Sequence, residues 1–163
     1  MVYLIGGDAA DGGVVNEVFT KMDFHLPLKD REWTPLPKTT FERTAVTLVS
    51  MGQYVYAIGG RKASSEGSTF LERNAHFFYL GMQDGGYSST VERFDTTTGS
   101  WEVMDTMLHA RCQAGYTVAH GKIYVVGGLG DNLIGPPGGL KSVEFYDPQL
   151  DAWTGLPDMY FSR

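Results

Sequence analysis

The chain has 163 residues and a formal net charge of −6. That acidic balance, with no basic stripe, speaks against a nucleic-acid partner. No apolar run nears the roughly twenty residues that a membrane-spanning helix needs, so no membrane is expected either. The single cysteine, Cys112, has no partner for an internal disulfide. There is no Asn-x-Ser/Thr acceptor and no signal-like stretch after Met1. Together these features make the cytoplasm the expected compartment.

In chain order, residues 2–43 open with VYLIGG (Val2 to Gly7), an apolar run stopped by a Gly-Gly pair. The acidic, Gly-rich DAADGGVVNE that follows reads as a solvated turn. Its Asp8, Asp11 and Glu17 lack the alternate-position spacing and terminal Glu of an EF-hand loop, so no metal is expected there. A second run ends in KMD (Lys21 to Asp23). The segment HLPLKDRE (His25 to Glu32) extends the turn before Trp33 as a surface insertion.

Residues 44–111 repeat the order with YVYAIGG (Tyr54 to Gly60), TVERFD (Thr90 to Asp95) and Trp101. A long insertion, Arg61 to Ser89, interrupts them. Its centre, FLERNAHFFYL (Phe70 to Leu80), is apolar at mixed spacing. Loops of this length in compact domains are usually functional or disordered. Two readings stand: a helical turn or hairpin packed on the rim, or a partner-contact loop. In the second, Arg73, Phe77, Phe78 and Tyr79 are the anchors, since aromatics and Arg dominate binding hot spots.

Residues 112–163 give the fullest copy: candidate strands at Gly115–Ala119, Ile123–Val126 and Ser142–Tyr146, and a strand opening at Trp153. The loop Leu129 to Leu140 (LGDNLIGPPGGL) is rich in Gly and Pro. GLGDNLIG fails the spacing of a dinucleotide fingerprint and precedes a strand. GYTVAHGK has one residue too many between its glycines, and no Ser or Thr after Lys122, to be a phosphate loop.

Each copy therefore holds an apolar run, Gly-Gly and a Trp. Trp33, Trp101 and Trp153 are each followed ten positions on by an Arg: Arg43, Arg111 and Arg163. Repeats of about fifty residues indicate solenoids, propellers or arrays. Short β-branched and aromatic runs divided by turn residues favour strands. Three strands in the first unit and four in each of the others make an all-β chain of antiparallel meanders, the form of propeller blades. Since propellers use about four to eight blades, the expected object is a piece of one, with the first blade short of a strand. Completing the ring would need more chain or partner copies.

The pattern resembles the kelch repeat. The residues that carry the resemblance are Gly127-Gly128, Tyr146-Asp147 and Trp153, with Gly59-Gly60, Phe94-Asp95 and Trp101, and the stretch Ala110 to Gly115. The resemblance covers nearly all of residues 1–163. It implies a kelch-type β-propeller fragment but no particular activity, because kelch propellers host unrelated functions. Some kelch adaptors hold partner peptides with Arg at positions matching Arg61 and Arg111. The competing reading of the repeated Arg is structural: each pairs with a carboxylate of a neighbouring blade, such as Glu92 or Glu144.

No catalytic set is visible. His25, His76, His109 and His120 lack metal-ligand spacing, and Cys112 reads as a small buried residue opening a strand rather than a nucleophile. The Tyr, Cys and paired His of a copper-radical kelch oxidase are not arranged here. The expectation is a non-enzymatic scaffold or adaptor without cofactor. It would bind a protein through the loops Asp8–Glu17, Arg61–Ser89 and Leu129–Leu140 at one end of the blades. The alternatives are a propeller enzyme or carbohydrate-binding domain, and the substrate-receptor part of a ubiquitin ligase.

Overall fold

The structure is a computed structural model that describes residues 2–5, 19–41, 43–62, 86–130 and 138–163. Three antiparallel sheets carry the chain. The first is β1 (Val2–Ile5), β2 (Phe19–Met22) and β3 (Thr34–Leu36), in that order. Residues Arg43–Thr44 form the short strand β4. The second sheet runs β5 (Thr47–Met51), β6 (Tyr54–Ile58), β8 (Val91–Asp95) and β9 (Ser100–Met104), with the short β7 (Arg61–Lys62) leaving it. After β10 (Arg111–Cys112), the third sheet is β11 (Gly115–Ala119), β12 (Lys122–Val126), β15 (Val143–Asp147) and β16 (Ala152–Leu156). The expected meanders are thus present, with strand ends moved by one residue at Lys122, Val143, Asp147 and Ala152.

Two small ladders were not foreseen. β4 pairs with β7, and β10 pairs with β13 (Leu129–Gly130), which pairs with β14 (Gly138–Gly139). The loop expected over Leu129–Leu140 is therefore partly a ladder at its two ends. Its Gly residues allow this, because Gly130 lies where a Cβ would stand 2.6 Å from the Ala110 carbonyl.

Alternation within each strand places one set of side chains on each neighbouring sheet. Val55 and Phe94 pack with Tyr3, Ile5 and Leu36 of the first sheet. Tyr56, Ile58 and Val91 pack with Ile123, Val125, Tyr146 and Trp153 of the third. The second sheet is therefore covered on both faces, and residues such as Tyr56 and Val91 have no exposed surface. The expected pairing of each Trp with an aromatic on the adjacent strand is met: Phe94 lies opposite Trp101 and Tyr146 opposite Trp153. In both pairs the ring centroids are 5.2 Å apart. Each indole then reaches back one unit. Trp101 Nε1 donates to the Pro37 carbonyl at 2.8 Å, and Trp153 Nε1 to that of Asp105 at 3.0 Å.

The Asp that ends each third strand organises the outer turn. Asp95 Oδ1 accepts from the Thr97 N–H at 2.7 Å, and Asp147 Oδ1 from that of Gln149 at 3.0 Å. In the β11–β12 hairpin, His120 and Gly121 both take positive φ, as a two-residue turn with the twist of its strands requires.

Candidate functional site

Gly59-Gly60 and Gly127-Gly128 sit at the blade end where the next unit begins. A Cβ on Gly59 would lie 2.4 Å from the Arg111 carbonyl, and one on Gly60 would lie 2.6 Å from that of Thr44. Both have positive φ. The Gly60 N–H donates to the Arg111 carbonyl at 2.8 Å, and the Gly128 N–H to that of Arg163 at the same distance. The equal spacing from Trp to Arg thus reflects equal distances of chain from an outer strand to the preceding Gly-Gly pair.

The arginine side chains follow that backbone inward. Arg43 and Arg111 are almost wholly buried. Arg43 Nη2 meets Glu92 Oε2 at 2.7 Å and the Ala57 carbonyl at 3.2 Å, while Nη1 donates to the carbonyl and hydroxyl of Thr90. Arg111 repeats the arrangement: Nη2 to Glu144 Oε1 at 2.6 Å and to the Ser142 hydroxyl at 2.8 Å, Nη1 to the Gly127 carbonyl at 2.7 Å. Each Glu also holds the incoming chain. Glu92 accepts from the Thr40 N–H at 2.6 Å, and Glu144 from that of Leu108 at 2.7 Å. Burial lowers the pKa of both arginines, and the facing carboxylates oppose that shift.

Of the two readings of the repeated Arg, the geometry supports the structural one. Arg111 is spent on Glu144, Ser142 and Gly127, so it is corrected from a partner anchor to a lock between consecutive units. The hydroxyls of Thr90 and Ser142 were missed as part of this lock. Their signal was nonetheless in the sequence, where Ser or Thr precedes Val-Glu in both TVERFD and SVEFYD.

Arg61 is different. It is half-buried on β7, bridged to Tyr87, and its charge pulls on the thiol of Cys112. Burial still raises the pKa of that thiol, and Cys112 opens β10 as a buried side chain. His109 stands beside the lock, its Nδ1 3.6 Å from Glu144. Arg73, Phe77, Phe78 and Tyr79 lie outside the described residues. Among the described residues, no group of three or more His, Cys, Asp or Glu could hold a metal ion.

The kelch motif profile matches residues 110–160, which include Arg111, Gly127-Gly128, Glu144 and Trp153. The chain belongs to the kelch-repeat family. It is 36% identical over 125 residues to the F-box/kelch-repeat protein At1g22040 of Arabidopsis thaliana, a match covering 70% of this chain and 25% of that protein. It is 30% identical over 91 residues to human Kelch-like protein 11, covering 56% of this chain and 12% of that one. The chain therefore spans a quarter or less of these two relatives. A solved structure titled "Structure of YjhT" shares the fold, with a TM-score of 0.68 at 18% identity, over 90% of this chain and 47% of that one. The kelch sheets here form part of a propeller.

Proposed function

We propose that this kelch segment is a non-enzymatic, cytoplasmic protein-binding module that displays the loops at its Gly-Gly end to a macromolecular partner. Kelch homologues are typically protein-binding. The observation that carries the reading is the way the longest connection is anchored. The Lys62 N–H donates to the Gly86 carbonyl at 3.1 Å, and the Ser88 N–H donates to that of Gly60 at 2.8 Å. The chain thus leaves and returns through one pinned neck, and residues 63–85 are the intervening stretch. A fixed neck on a rigid sheet is how scaffolds position binding loops. Arg61 stands at the neck, and Arg73, Phe77, Phe78 and Tyr79 lie within the stretch, so these five are the proposed anchors.

The test is affinity capture with the intact chain and with a form lacking Phe70–Leu80, followed by reconstitution with the purified partner. The reading expects the shortened form to lose binding while keeping its melting temperature. Equal affinity in both forms would sink the role of this loop. The F-box in the name of the Arabidopsis relative supports a narrower reading, substrate reception for a ubiquitin ligase. That reading expects the captured partner to be ubiquitinated when the full-length protein is supplied.

A further inference from the structure

Each sheet ends outward in a strand that is bonded on one side only. β3, β9 and β16 pair with β2, β8 and β15, and none has a second strand partner among the described residues. The open side is a feature of the rim, since β9 has it although a whole unit follows β9 in the chain. Such edges offer a row of unpaired N–H and C=O groups, and proteins blunt them with Pro or with charge. The first two rims are blunted. β3 carries Pro35, and β9 carries Glu102, whose side chain is 62% exposed beside Arg93. β16 has neither Pro nor a charged residue. Pro35 and Gly155 each stand two residues after the Trp of their unit. β3 pairs with β2 through Pro35, which has no N–H. The N–H at this place is therefore not used by the sheet, and at Gly155 it faces outward.

The surroundings of β16 suit an added strand. Apolar side chains border it: a Cβ added to Gly155 would stand 3.5 Å from the Leu108 Cδ1. Leu108, Leu150 just before the strand and Leu156 at its end are all exposed. Acids bracket it. Asp151 and Asp158 are exposed on either side, and no Lys, Arg or His occurs between Pro148 and Ser162. The Asp105 N–H donates to Asp151 Oδ1 at 3.0 Å, which brings a third carboxylate residue to the same border.

We infer that β16 is a docking edge for an extended segment of a partner protein, apolar in its middle and basic at its ends, which adds a fifth strand to the third sheet. This site lies on the rim and is separate from the loops at the Gly-Gly end. In strand addition the main-chain hydrogen bonds supply affinity, and the side chains supply specificity. Here the leucines meet the apolar middle of the segment, and Asp151 and Asp158 attract its ends. The same acids disfavour a second copy of this chain. Antiparallel self-pairing centred on Thr154 would bring Asp151 of one copy next to Asp158 of the other, and like charges across strands destabilise a sheet.

The probe is a short synthetic peptide of alternating Val and Thr with two Lys at each end. Binding is followed by amide hydrogen exchange in the 163-residue chain, read residue by residue. The peptide should slow exchange in residues 152–156 and leave residues 100–104 of the blunted β9 unchanged. Methylating the backbone nitrogens of the peptide removes its donors and should abolish binding. Gly155→Pro copies the first rim and removes one outward donor. It should weaken binding several-fold without lowering the melting temperature. Asp158→Lys should weaken binding several-fold at low salt and favour a peptide with Glu ends instead. Protection absent from residues 152–156, or equal in residues 100–104, overturns the inference. So does equal binding by the methylated peptide, or an Asp158→Lys chain that holds the Lys-ended peptide as tightly as the unaltered chain does. Protection of residues 152–156 that grows with protein concentration in the absence of peptide would put a second copy on the edge and overturns it as well.

Discussion

The second and third sheets share one pattern of strands, turns and Gly-Gly ends, yet their faces differ. Among the described residues, the second is covered on both sides and the third on one. Tyr56 is fully buried while its counterpart Tyr124 is only half so. Tyr56 gains a T-shaped contact with Tyr146 of the next sheet, at 5.9 Å between ring centroids. The lesson is that a blade's apolar character is intrinsic to the repeat, whereas its burial is conferred by a neighbour, as expected of repeat proteins. The Arg–Glu locks and the Trp contacts are the means of conferral, and both can be broken selectively.

The largest effect is expected at the locks. Glu92→Ala or Glu144→Ala leaves a buried guanidinium without its carboxylate and should cost about 3–5 kcal/mol in urea unfolding. Replacing both partners, Arg111→Met with Glu144→Leu, should recover much of that loss, because the charge left behind is then absent too. A double mutant as unstable as the single would show that the guanidinium's hydrogen bonds to Gly127 and Ser142 matter more than the pair.

Trp153→Ala empties a filled space between sheets and should cost about 3–5 kcal/mol. Trp33→Ala, at the half-open first sheet, should cost far less, about 1 kcal/mol, since less surface is lost from burial. Equal melting-temperature losses would contradict the contrast between covered and open faces.

Gly60→Ala brings a Cβ against the Thr44 carbonyl, while Gly121→Ala meets nothing within 4 Å and bears only the strain of positive φ. The second should cost about 1–2 kcal/mol and the first visibly more, as read by thermal melting side by side.

The smallest effect is electrostatic. Lys122 stands 2.8 Å from Asp147 and, with the Gln149 and Leu150 N–H groups, lowers the pKa of that carboxyl. A depressed carboxylate pKa stabilises the fold above its unfolded value, and the contribution fades as pH falls through the folded value. Asp147→Asn should therefore lower the melting temperature slightly near neutral pH. The difference should begin to narrow below about pH 4 and close as pH falls through the depressed folded value. A difference that persists into acid would mean that the charge of Asp147 is not its source.

Much of this was legible from local pattern. Gly-Gly after an apolar run, Asp six residues before Trp, and Arg ten residues after it encode strands, turns and period. That is because strand pairing by meander is local, and turn chemistry is written in single residues. The alternative readings of Arg111 were not separable at that level. The same residue type at the same interval suits a lock or an anchor, and only the placement of Glu144, 33 residues on in the third strand of the next unit, rather than any feature of Arg111 itself, distinguishes them. The short ladders of β4, β7, β10, β13 and β14 were likewise hidden, because two-residue strands carry no periodicity.

Composition and repetition alone determined that this chain makes antiparallel sheets of kelch type, since those features depend on residues near one another in sequence. Tertiary structure decided which sheet face is covered, which arginine is buried and where Gly is obligatory. Those outcomes depend on what the next unit brings within a few ångströms, and no single unit contains that information.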